Sequence, residues 1–315
     1  MPPAAIPDYL RLHRANGRAP HKPVLLLAVL KAFDEGLIIE NRIGPSAELI
    51  NLFNGYWAAL VHQPNFQRRF FLPFYHLSKE ASGLWKLNTL PGFQRALTPS
   101  HSIKSLGALI AFEAYAELRT DVFEKWKLPE HRAVDRLTLM ASYFTGQALP
   151  QQLPDRIREI EHHIEHDSPA AYVARQLEHI QEVEEEEQVL RSAAFKRKIP
   201  QLYGHRCAVT GLRVRSLRNA NLIDACHIVP WADGYDDTIT NGIALCPNLH
   251  RAFDRGLISI ADNMTLLVTP DLRENDSAYA IRPFAGKQLL LPTDRQHWPA
   301  PQNVRRHRER FGFRR

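Results

Sequence analysis

The chain has 315 residues, a net charge of +6 and 44% hydrophobic residues, which suits about two domains with real cores. Three cysteines are too few for a disulfide-rich scaffold. No apolar run approaches the roughly eighteen residues that a membrane-spanning helix needs, so the sequence predicts no membrane span. Because we recognise no signal peptide, we expect a cytoplasmic protein with reduced thiols and no membrane partner.

Charge is unevenly distributed along the chain. Residues 150–190 contain eleven Asp and Glu but three Arg, a local balance of −8, so the rest of the chain carries +14. The last eleven residues hold six arginines, which either follow a phosphate backbone or pack along their own domain. Basic segments on both sides of an acidic middle favour a nucleic-acid partner. The basic side chains would bind phosphates, whereas the acidic connector would be repelled by them.

The first 150 residues have the pattern of a mostly helical domain with a small strand component. A continuous apolar run predicts a buried helix over residues 23–33, ending near Gly36. A second helix is predicted to begin at Pro45-Ser46. The pattern also predicts extended chain over residues 70–77 and 83–87, and helices near 103–118 and 129–145.

A polar, proline-containing stretch over residues 146–154 predicts the end of this domain. Residues 155–195 carry a helical apolar stripe, which predicts a connector that is a candidate for pairing with a second copy in a homodimer. Within it, we interpret the run Glu184 to Glu187 as a solvated helix face. The predicted organisation is α+β, with a mostly helical domain at 1–150, an acidic helical linker at 151–194 and a third segment at 195–315.

The C-terminal domain contains a compact series of predicted elements. The pattern predicts a strand over residues 221–228, a tight turn at Asn241-Gly242, a second strand over 243–246, a helix over 247–255, and later strands over 257–261 and 264–268. Each boundary has a turn or helix-stop residue, so the order strand, strand, helix is well specified.

Two histidines and a carboxylate in these elements are candidates for metal-assisted hydrolysis. Such a reaction needs a base to activate water and a cation to neutralise the charge that develops on the substrate. His227 ends a strand, and a neutral imidazole is the natural base near about pH 7. His250 and Asp254 are four residues apart and share a helix face, where they can bind Mg²⁺ or Mn²⁺.

The spacing of three polar residues carries a family resemblance. Thirteen residues separate His227 from Asn241, and eight separate Asn241 from His250. These three residues begin the segments His-Ile-Val-Pro-Trp, Asn-Gly-Ile-Ala-Leu-Cys and His-Arg-Ala-Phe-Asp, respectively. This pattern resembles the HNH nuclease motif, a ββα-metal unit that cuts phosphodiester bonds. The resemblance implies that His227 is the general base, that Asn241 orients the loop carrying it, and that His250 binds a divalent metal.

One position departs from that family pattern. Family members commonly carry an aspartate or histidine directly before the base as a second metal ligand, but this chain has Cys226. Thiolate is a poor ligand for Mg²⁺, so either another carboxylate completes the site or a softer metal is preferred. We favour Asp254 as that carboxylate, with Asp224 second, and Mg²⁺ or Mn²⁺ as the metal with Co²⁺ and Ni²⁺ as further candidates.

The cysteines predict that no structural zinc is bound. Many HNH domains carry a zinc knuckle of two Cys-x-x-Cys pairs. Here Cys207 and Cys246 occupy the first position of each pair, but Thr210 and Leu249 replace the second cysteines. Because two thiols cannot complete a tetrahedral site, we expect both cysteines to be small buried residues.

Three segments of the first domain carry a second, less specific resemblance. They are Ala-Pro-His-Lys-Pro-Val-Leu-Leu-Leu at 19–27, Leu-Pro-Phe-Tyr-His-Leu at 72–77 and Gly-Leu-Trp at 83–85. Together they resemble the sulfur-binding domain that precedes the HNH domain in McrA-like type IV restriction enzymes. Those bacterial enzymes attack DNA in which a non-bridging phosphate oxygen is replaced by sulfur.

The resemblance implies a DNA-reading surface in this domain. A phosphorothioate keeps its negative charge, but sulfur is less hydrated than oxygen, so a shallow apolar pocket would penalise the oxygen by desolvation. The candidate pocket residues are Leu72, Pro73, Tyr75 and His76. The candidate DNA-binding residues are Arg18, His21, Lys22, Ser100, His101 and Lys104.

These observations predict a modification-dependent restriction endonuclease. Its first domain would capture phosphorothioate-modified double-stranded DNA, and its HNH domain would cut nearby with a divalent metal. One alternative is an HNH nuclease that reads a methylated or hydroxymethylated base, although such readers usually flip the base into a deep aromatic pocket. Others are a DNA-binding protein with a vestigial nuclease and an HNH enzyme whose first domain binds a protein or small ligand.

Overall fold

The computed structural model describes residues 6–14, 17–89, 105–179, 185–214, 216 and 221–313, and the chain divides into two compact units. Unit 1 comprises Met1–Ile157 with Glu184–Leu190, and unit 2 comprises Arg158–Val183 with Arg191–Arg315. Residues of the predicted linker at 151–194 are therefore divided between the two units.

Helices make up most of the regular structure. Those within the described residues are α1 (His21–Asp34), α2 (Ala47–Leu60), α3 (Phe71–His76), α4 (Leu106–Ala111), α5 (Thr120–Trp126), α6 (Pro129–Tyr143), α7 (Arg156–His166), α8 (Pro169–His179), α9 (Glu185–Leu202), α10 (Trp231–Gly234), α11 (Pro247–Asp254) and α12 (Pro301–Arg310).

The strands of the described residues form three small antiparallel sheets. They pair β1 (Trp85–Asn88) with β2 (Tyr115–Leu118), β3 (Asp224–His227) with β4 (Gly242–Leu245), and β5 (Ile258–Ile260) with β6 (Leu266–Val268). The prediction of an α+β protein is confirmed.

Helix α1 is the centre of the unit 1 core. Every residue of it from Pro23 to Leu30 is buried, and it packs against α2, α3 and α6. The predicted buried helix over 23–33 is therefore confirmed. The start of α2 is confirmed too, because the Ser46 hydroxyl accepts a hydrogen bond from the Leu49 N–H at 3.2 Å and caps the helix.

The prediction of extended chain over residues 70–77 is wrong, because Phe71–His76 form α3. Pro73 lies in the first turn, where its missing N–H removes no helix hydrogen bond. The buried Phe74 ring lies 5.2 Å from the Trp85 ring, and the Trp85 indole donates to the Phe74 carbonyl at 2.9 Å. Tertiary packing of the aromatic residues therefore selects the helix.

The prediction of one helix over 103–118 is also wrong in its second half. Helix α4 ends at Ala111, and Tyr115–Leu118 form β2, with Glu113 at a positive φ of 44° between them. Strand β2 alternates half-buried and buried residues along its length and pairs with β1, so its period is that of a strand. Helix α5 was not predicted, whereas the predicted helix near 129–145 is confirmed as α6.

Unit 2 contains the predicted order of strand, strand and helix. Strands β3 and β4 pair with His227 opposite Gly242, and α11 packs against both. A Cβ at Gly242 would lie 3.2 Å from the Phe195 ring and closer still to Ile199, so only glycine allows α9 to approach the strand here. Helix α11 is followed by Gly256 at a φ of +67°, as the predicted helix end requires.

The glutamate run at the start of α9 is not a purely solvated face. Glu186 is buried, and its carboxylate accepts a hydrogen bond from the Phe70 N–H at 2.6 Å. Glu185 accepts from the N–H groups of Leu106 and Gly107 at the start of α4, at 2.5 and 3.2 Å. The solvated-face prediction is therefore wrong at Glu186. No helix of the described residues is long and apolar enough to cross a membrane.

Replacing Asp135 by alanine is expected to destabilise the protein by about 3–5 kcal/mol. This carboxylate is 1% exposed and accepts hydrogen bonds from the Tyr9 hydroxyl and the Trp126 indole, both at 2.8 Å. Its loss leaves the Tyr9 hydroxyl and the Trp126 indole without their acceptor and removes the carboxylate that pairs with the Lys125 ammonium. Chemical unfolding of the full chain measures the change.

The matched control is Asp121→Ala, which removes an aspartate that pairs with Arg119 but is 65% exposed. We expect that variant to lose less than about 1 kcal/mol. Equal losses for the two variants would contradict the importance of the buried network.

Candidate functional site

His227 ends β3 and is held in a defined orientation. Its side chain is 27% exposed, and its ring stacks on that of Phe195 from α9 with centroids 3.8 Å apart and planes 3° from parallel. Its Nε2 forms a 2.7 Å hydrogen bond with Oδ1 of Asp237. The imidazole is therefore fixed both in its plane and by one of its nitrogens.

Asp237 is the buried partner of this histidine and is 1% exposed. Its Oδ2 accepts hydrogen bonds from the Arg191 guanidinium and from the Tyr172 hydroxyl, the latter at 3.1 Å. Burial opposes ionisation of the carboxyl, but the hydrogen bond with His227 and the charge of Arg191 outweigh it and hold the pKa of Asp237 below its usual value. Asp237 is thus a carboxylate at neutral pH.

Asn241 is buried and uses its whole side-chain amide. Oδ1 accepts from the Val229 N–H at 2.9 Å, and Nδ2 donates to the carbonyls of Val229 at 2.9 Å and Asp236 at 2.8 Å. Its backbone carbonyl also accepts from the Ile228 N–H at 2.9 Å. These contacts hold the chain directly after His227, which is where a loop-orienting residue has to act.

His250 lies between two carboxylates. Its Nδ1 hydrogen-bonds with Oδ2 of Asp224 at 3.1 Å, and its Nε2 faces Oδ2 of Asp254, one helical turn later in α11, at 3.5 Å. The predicted proximity of His250 and Asp254 is confirmed. The two carboxylates contact different ring nitrogens, so they can act differently toward a cation.

Cys226 lies close to this histidine–aspartate pair. Donor atoms of Cys226, His250 and Asp254 all fall within 4.8 Å of one another. The thiol is fully buried and donates a weak hydrogen bond to Oδ1 of Asp254 at 3.8 Å. Burial and then the negative charge of Asp254 raise the pKa of the Cys226 thiol well above its usual value, so the free thiol is protonated.

A cleft of about 440 Å³ connects these groups in unit 2. We call it the unit 2 cleft; its lining consists of Ser192, Phe195, Lys196, Ala225, His227, Ile228, Pro230, Trp231, His250, Asp254, His307, Arg310 and Phe311. The imidazole of His227 and the His250–Asp254 pair therefore face the same space, together with the cations Lys196 and Arg310. Asp224 is outside this lining.

Cys207 and Cys246 are both buried, as predicted. The Cys207 thiol is hydrogen-bonded by that of Cys246, and this contact lowers the pKa of Cys207 below its usual value. Thr210 also contacts Cys207, in the place where a zinc knuckle has its second cysteine. That a structural zinc is not bound remains a prediction.

Unit 1 contains a second cavity, of about 490 Å³, which we call the N-terminal cavity. Its lining consists of His13, Arg14, Ala19, His21, Lys22, Phe66, Leu72, Pro73, His76, Lys79 and Glu80. Five residues predicted separately from two segments therefore meet in one cavity. They are His21, Lys22, Leu72, Pro73 and His76.

The charges of the N-terminal cavity are partly compensated. Lys22 forms an ion pair with Glu80 and donates to the His13 carbonyl at 2.9 Å. Burial lowers the pKa values of His21 and His76 below the usual value, so both imidazoles are neutral near about pH 7. The cavity therefore combines apolar walls with a small excess of positive charge.

Other predicted reader residues lie elsewhere. Tyr75 is buried with 4% exposure and Arg18 is exposed, and both are outside the lining of the N-terminal cavity. Ser100, His101 and Lys104 lie outside the described residues. For Tyr75 the physical reason is the helical conformation of α3, which turns it toward the core instead of alternating it with its neighbours as a strand would.

Four residues of the His227 environment were not identified from the sequence. They are Tyr172, Arg191, Phe195 and Asp237. Asp237 lies inside the motif, but nothing in its pattern separates it from the neighbouring Asp236. The other three lie in or next to the segment predicted as a linker, where their residue types are ordinary for a helix.

Comparison with known proteins identifies the domain in unit 2. Residues 207–261 match the family model described as HNH endonuclease. The chain carries an HNH endonuclease domain. The matched segment contains His227, Asn241, His250 and Asp254.

Two solved structures of restriction endonucleases resemble parts of the chain. One is a modification-dependent TagI restriction endonuclease, at 22% identity and a TM-score of 0.29, covering 38% of this chain and 37% of that chain. The other is the type IV phosphorothioation-dependent restriction endonuclease ScoMcrA, at 12% identity and a TM-score of 0.34, covering 80% of this chain and 84% of that chain. The curated proteins gave no match.

The buried His307 of unit 2 leads us to predict a specific pH dependence of stability. It is 4% exposed, and its ring nitrogens hydrogen-bond with the Ser259 hydroxyl at 2.8 Å and the Phe253 carbonyl at 3.2 Å. Burial lowers the pKa of His307 from 6.5 to about 4, so the unfolded state binds a proton at a higher pH than the folded state. Stability is therefore fully present above about pH 6.5 and falls as the pH approaches about 4.

The test compares the wild type with His307→Gln by urea unfolding at about pH 7 and about pH 5. The wild type should lose on the order of 2 kcal/mol more than the variant over this interval, because glutamine does not titrate. Parallel losses in both proteins would show that other groups determine the pH dependence.

Proposed function

We propose that this protein is a modification-dependent DNA endonuclease of the type IV restriction class that recognises phosphorothioate-modified double-stranded DNA and hydrolyses a phosphodiester bond nearby with a divalent metal. The observation that carries the nuclease part is the shared unit 2 cleft, which places His227 and the His250–Asp254 pair of the HNH domain around one space. The reader part rests on the N-terminal cavity and its apolar, weakly basic lining.

The residues of the unit 2 cleft divide into roles. His227 is the general base that takes a proton from the attacking water, and Asn241 keeps its loop in place through the contacts to Val229 and Asp236. Lys196 and Arg310 face the same cleft and attract the phosphates on either side of the scissile bond. The acidic Asp233 pairs with Arg310 and limits how far that side chain extends.

The donors beside His250 fit a divalent cation. His250 and Asp254 would hold it, because Nε2 and the Asp254 carboxylate face each other and both line the cleft. Asp224 would orient His250 without binding the cation itself. It accepts a hydrogen bond from Nδ1 of His250 and thereby directs Nε2 of the same ring toward the cation. A bound divalent cation would neutralise charge that develops on the phosphate and the leaving oxygen.

Cys226 affects which metals suit the site. Its sulfur lies within 4.8 Å of the His250 and Asp254 donors, so a third ligand would be a thiol and not a carboxylate. Softer cations such as Co²⁺ or Ni²⁺ tolerate mixed nitrogen, oxygen and sulfur donors better than Mg²⁺ or Mn²⁺ does. The first activity assay should therefore compare Mg²⁺ and Mn²⁺ with Co²⁺ and Ni²⁺.

The N-terminal cavity suits a phosphorothioate on physical grounds. Leu72, Pro73 and Phe66 give it an apolar wall, and moving a well-hydrated oxygen onto that wall costs more than moving a weakly hydrated sulfur. Arg14 and Lys22 lie in the same lining and balance the negative charge that both kinds of phosphate carry. Each HNH centre cuts one strand, so a double-strand break requires a homodimer or two encounters.

His227→Ala is expected to abolish metal-dependent cleavage of phosphorothioate-modified plasmid while leaving DNA affinity within about threefold. Chelation of the metal by EDTA should stop the wild-type enzyme in the same way. The control His297→Ala replaces a half-buried histidine of unit 2 outside the cleft and should cut normally. Joint loss of binding and cleavage in His227→Ala would mean that the histidine is structural.

Binding to modified DNA tests the reader part separately. The full-length His227→Ala protein in EDTA is offered two short duplexes that differ by one phosphorothioate of defined stereochemistry, at a fixed salt concentration. We expect a preference of about tenfold or more, equal to about 1.4 kcal/mol. Pro73→Ala or His76→Ala should reduce the preference, whereas the exposed control His62→Ala should keep it.

Equal binding of the two duplexes would remove the sulfur-reading role and leave a nuclease with another targeting signal. A preference that survives every change in the N-terminal cavity would instead place the reader elsewhere in the chain.

A further inference from the structure

We propose that Asp237 is a positioning residue for the reaction, one that holds His227 in the tautomer with its proton on Nε2 and leaves Nδ1 free as the basic nitrogen. This inference rests on the proposed nuclease function and adds to it the identity of the reacting atom. The HNH motif residues His227, Asn241 and His250 do not include Asp237.

The hydrogen bond itself determines the tautomer. A carboxylate only accepts hydrogen bonds, so a 2.7 Å contact between Oδ1 and Nε2 places the proton on that nitrogen. The burial and ion pairing of Asp237 keep it deprotonated, as described above. The stacked Phe195 ring, 3° from parallel, prevents the imidazole from rotating out of this plane.

The surroundings of Asp237 assign a separate task to each oxygen. Arg191 and Tyr172 both donate to Oδ2, which leaves Oδ1 for the histidine. The neighbouring Asp236 differs, because its carboxylate accepts the backbone N–H of Thr238 at 2.8 Å and acts within its own loop. Two adjacent aspartates therefore have distinct functions, one toward the base and one toward the backbone.

The chemical step follows from this arrangement. An O–H bond of water breaks, its proton goes to Nδ1 of His227, and the oxygen forms a bond to phosphorus. The bond from phosphorus to the leaving oxygen breaks, and that oxygen takes a proton from solvent. Asp237 stabilises the resulting imidazolium through the Nε2–H bond without taking its proton, as in other base–carboxylate pairs.

The tautomer is measured directly by NMR on the metal-free full chain labelled with ¹⁵N-histidine. The signal that disappears in His227→Ala belongs to His227. We expect wild-type His227 to show the Nε2–H tautomer, and Asp237→Asn to shift it toward Nδ1–H or a mixture, because an amide can donate to Nε2. The control Asp262→Asn removes another arginine-paired aspartate of unit 2 and should leave the spectrum unchanged.

Cleavage assays supply the functional half of the test. Asp237→Asn should lose about 10²-fold or more in cleavage rate with DNA affinity retained, and Asp237→Glu should recover part of that loss. Tyr172→Phe removes one bond to Oδ2 and should lose less than about tenfold with the tautomer kept. Asp262→Asn should cut at the wild-type rate.

Three results would overturn the proposal: an Nδ1–H tautomer in the wild type, an unchanged tautomer in Asp237→Asn, or cleavage by Asp237→Asn within about threefold of the wild-type rate. If Asp237→Asn does not fold, the wild-type tautomer still decides the question, because an Nδ1–H tautomer would overturn the proposal. If the wild type cuts no DNA, the proposed function fails, and the NMR measurement still tests the placement of the proton.

Discussion

The side-chain amide of Asn241 ties together both ends of the loop between β3 and β4. It bonds to Val229, two residues after His227, and to Asp236, directly before Asp237. One amide therefore sets the distance between the imidazole and the carboxylate that orients it. Because Asn241 is 1% exposed, losing any of these bonds would leave a buried polar group unpaired, at a cost of about 1–3 kcal/mol.

The buried charge of Asp237 places a demand on the chain outside the HNH motif. An ionised carboxylate removed from water has to be paired and fully hydrogen-bonded. Arg191 from α9 and Tyr172 from α8 meet that demand, yet both lie before the segment 207–261 that matches the HNH family. Helices that the sequence presents as a connector thus help to support His227, the proposed base, and residues 207–261 alone do not contain all of these contacts.

Local patterns predicted the strands and the helix around the HNH match well because these elements are short and end at recognisable residues. Strands β3 to β6 and helix α11 lie where alternation, Asn-Gly and Gly256 place them. Long-range packing was not visible in the same way. The aromatic contacts of Phe74 fold α3 as a helix, and the pairing of β2 with β1 converts a predicted helix into a strand. Asp237 could not be distinguished from Asp236, since its partners come from sequence-distant helices.

The two proposed sites differ in how strongly residue identity defines them. The proposed catalysis in the unit 2 cleft depends on directional contacts of His227 and His250, and the spacing of these two histidines is visible in the sequence although the partner Asp237 is not. The proposed sulfur recognition in the N-terminal cavity would depend on apolar surface, which many side-chain combinations supply, and on the hydration of the ligand. The ion pair of Lys22 with Glu80 reduces the attraction of the N-terminal cavity for an ordinary phosphate. This favours a preference for sulfur that arises from desolvation of the ligand and not from its charge.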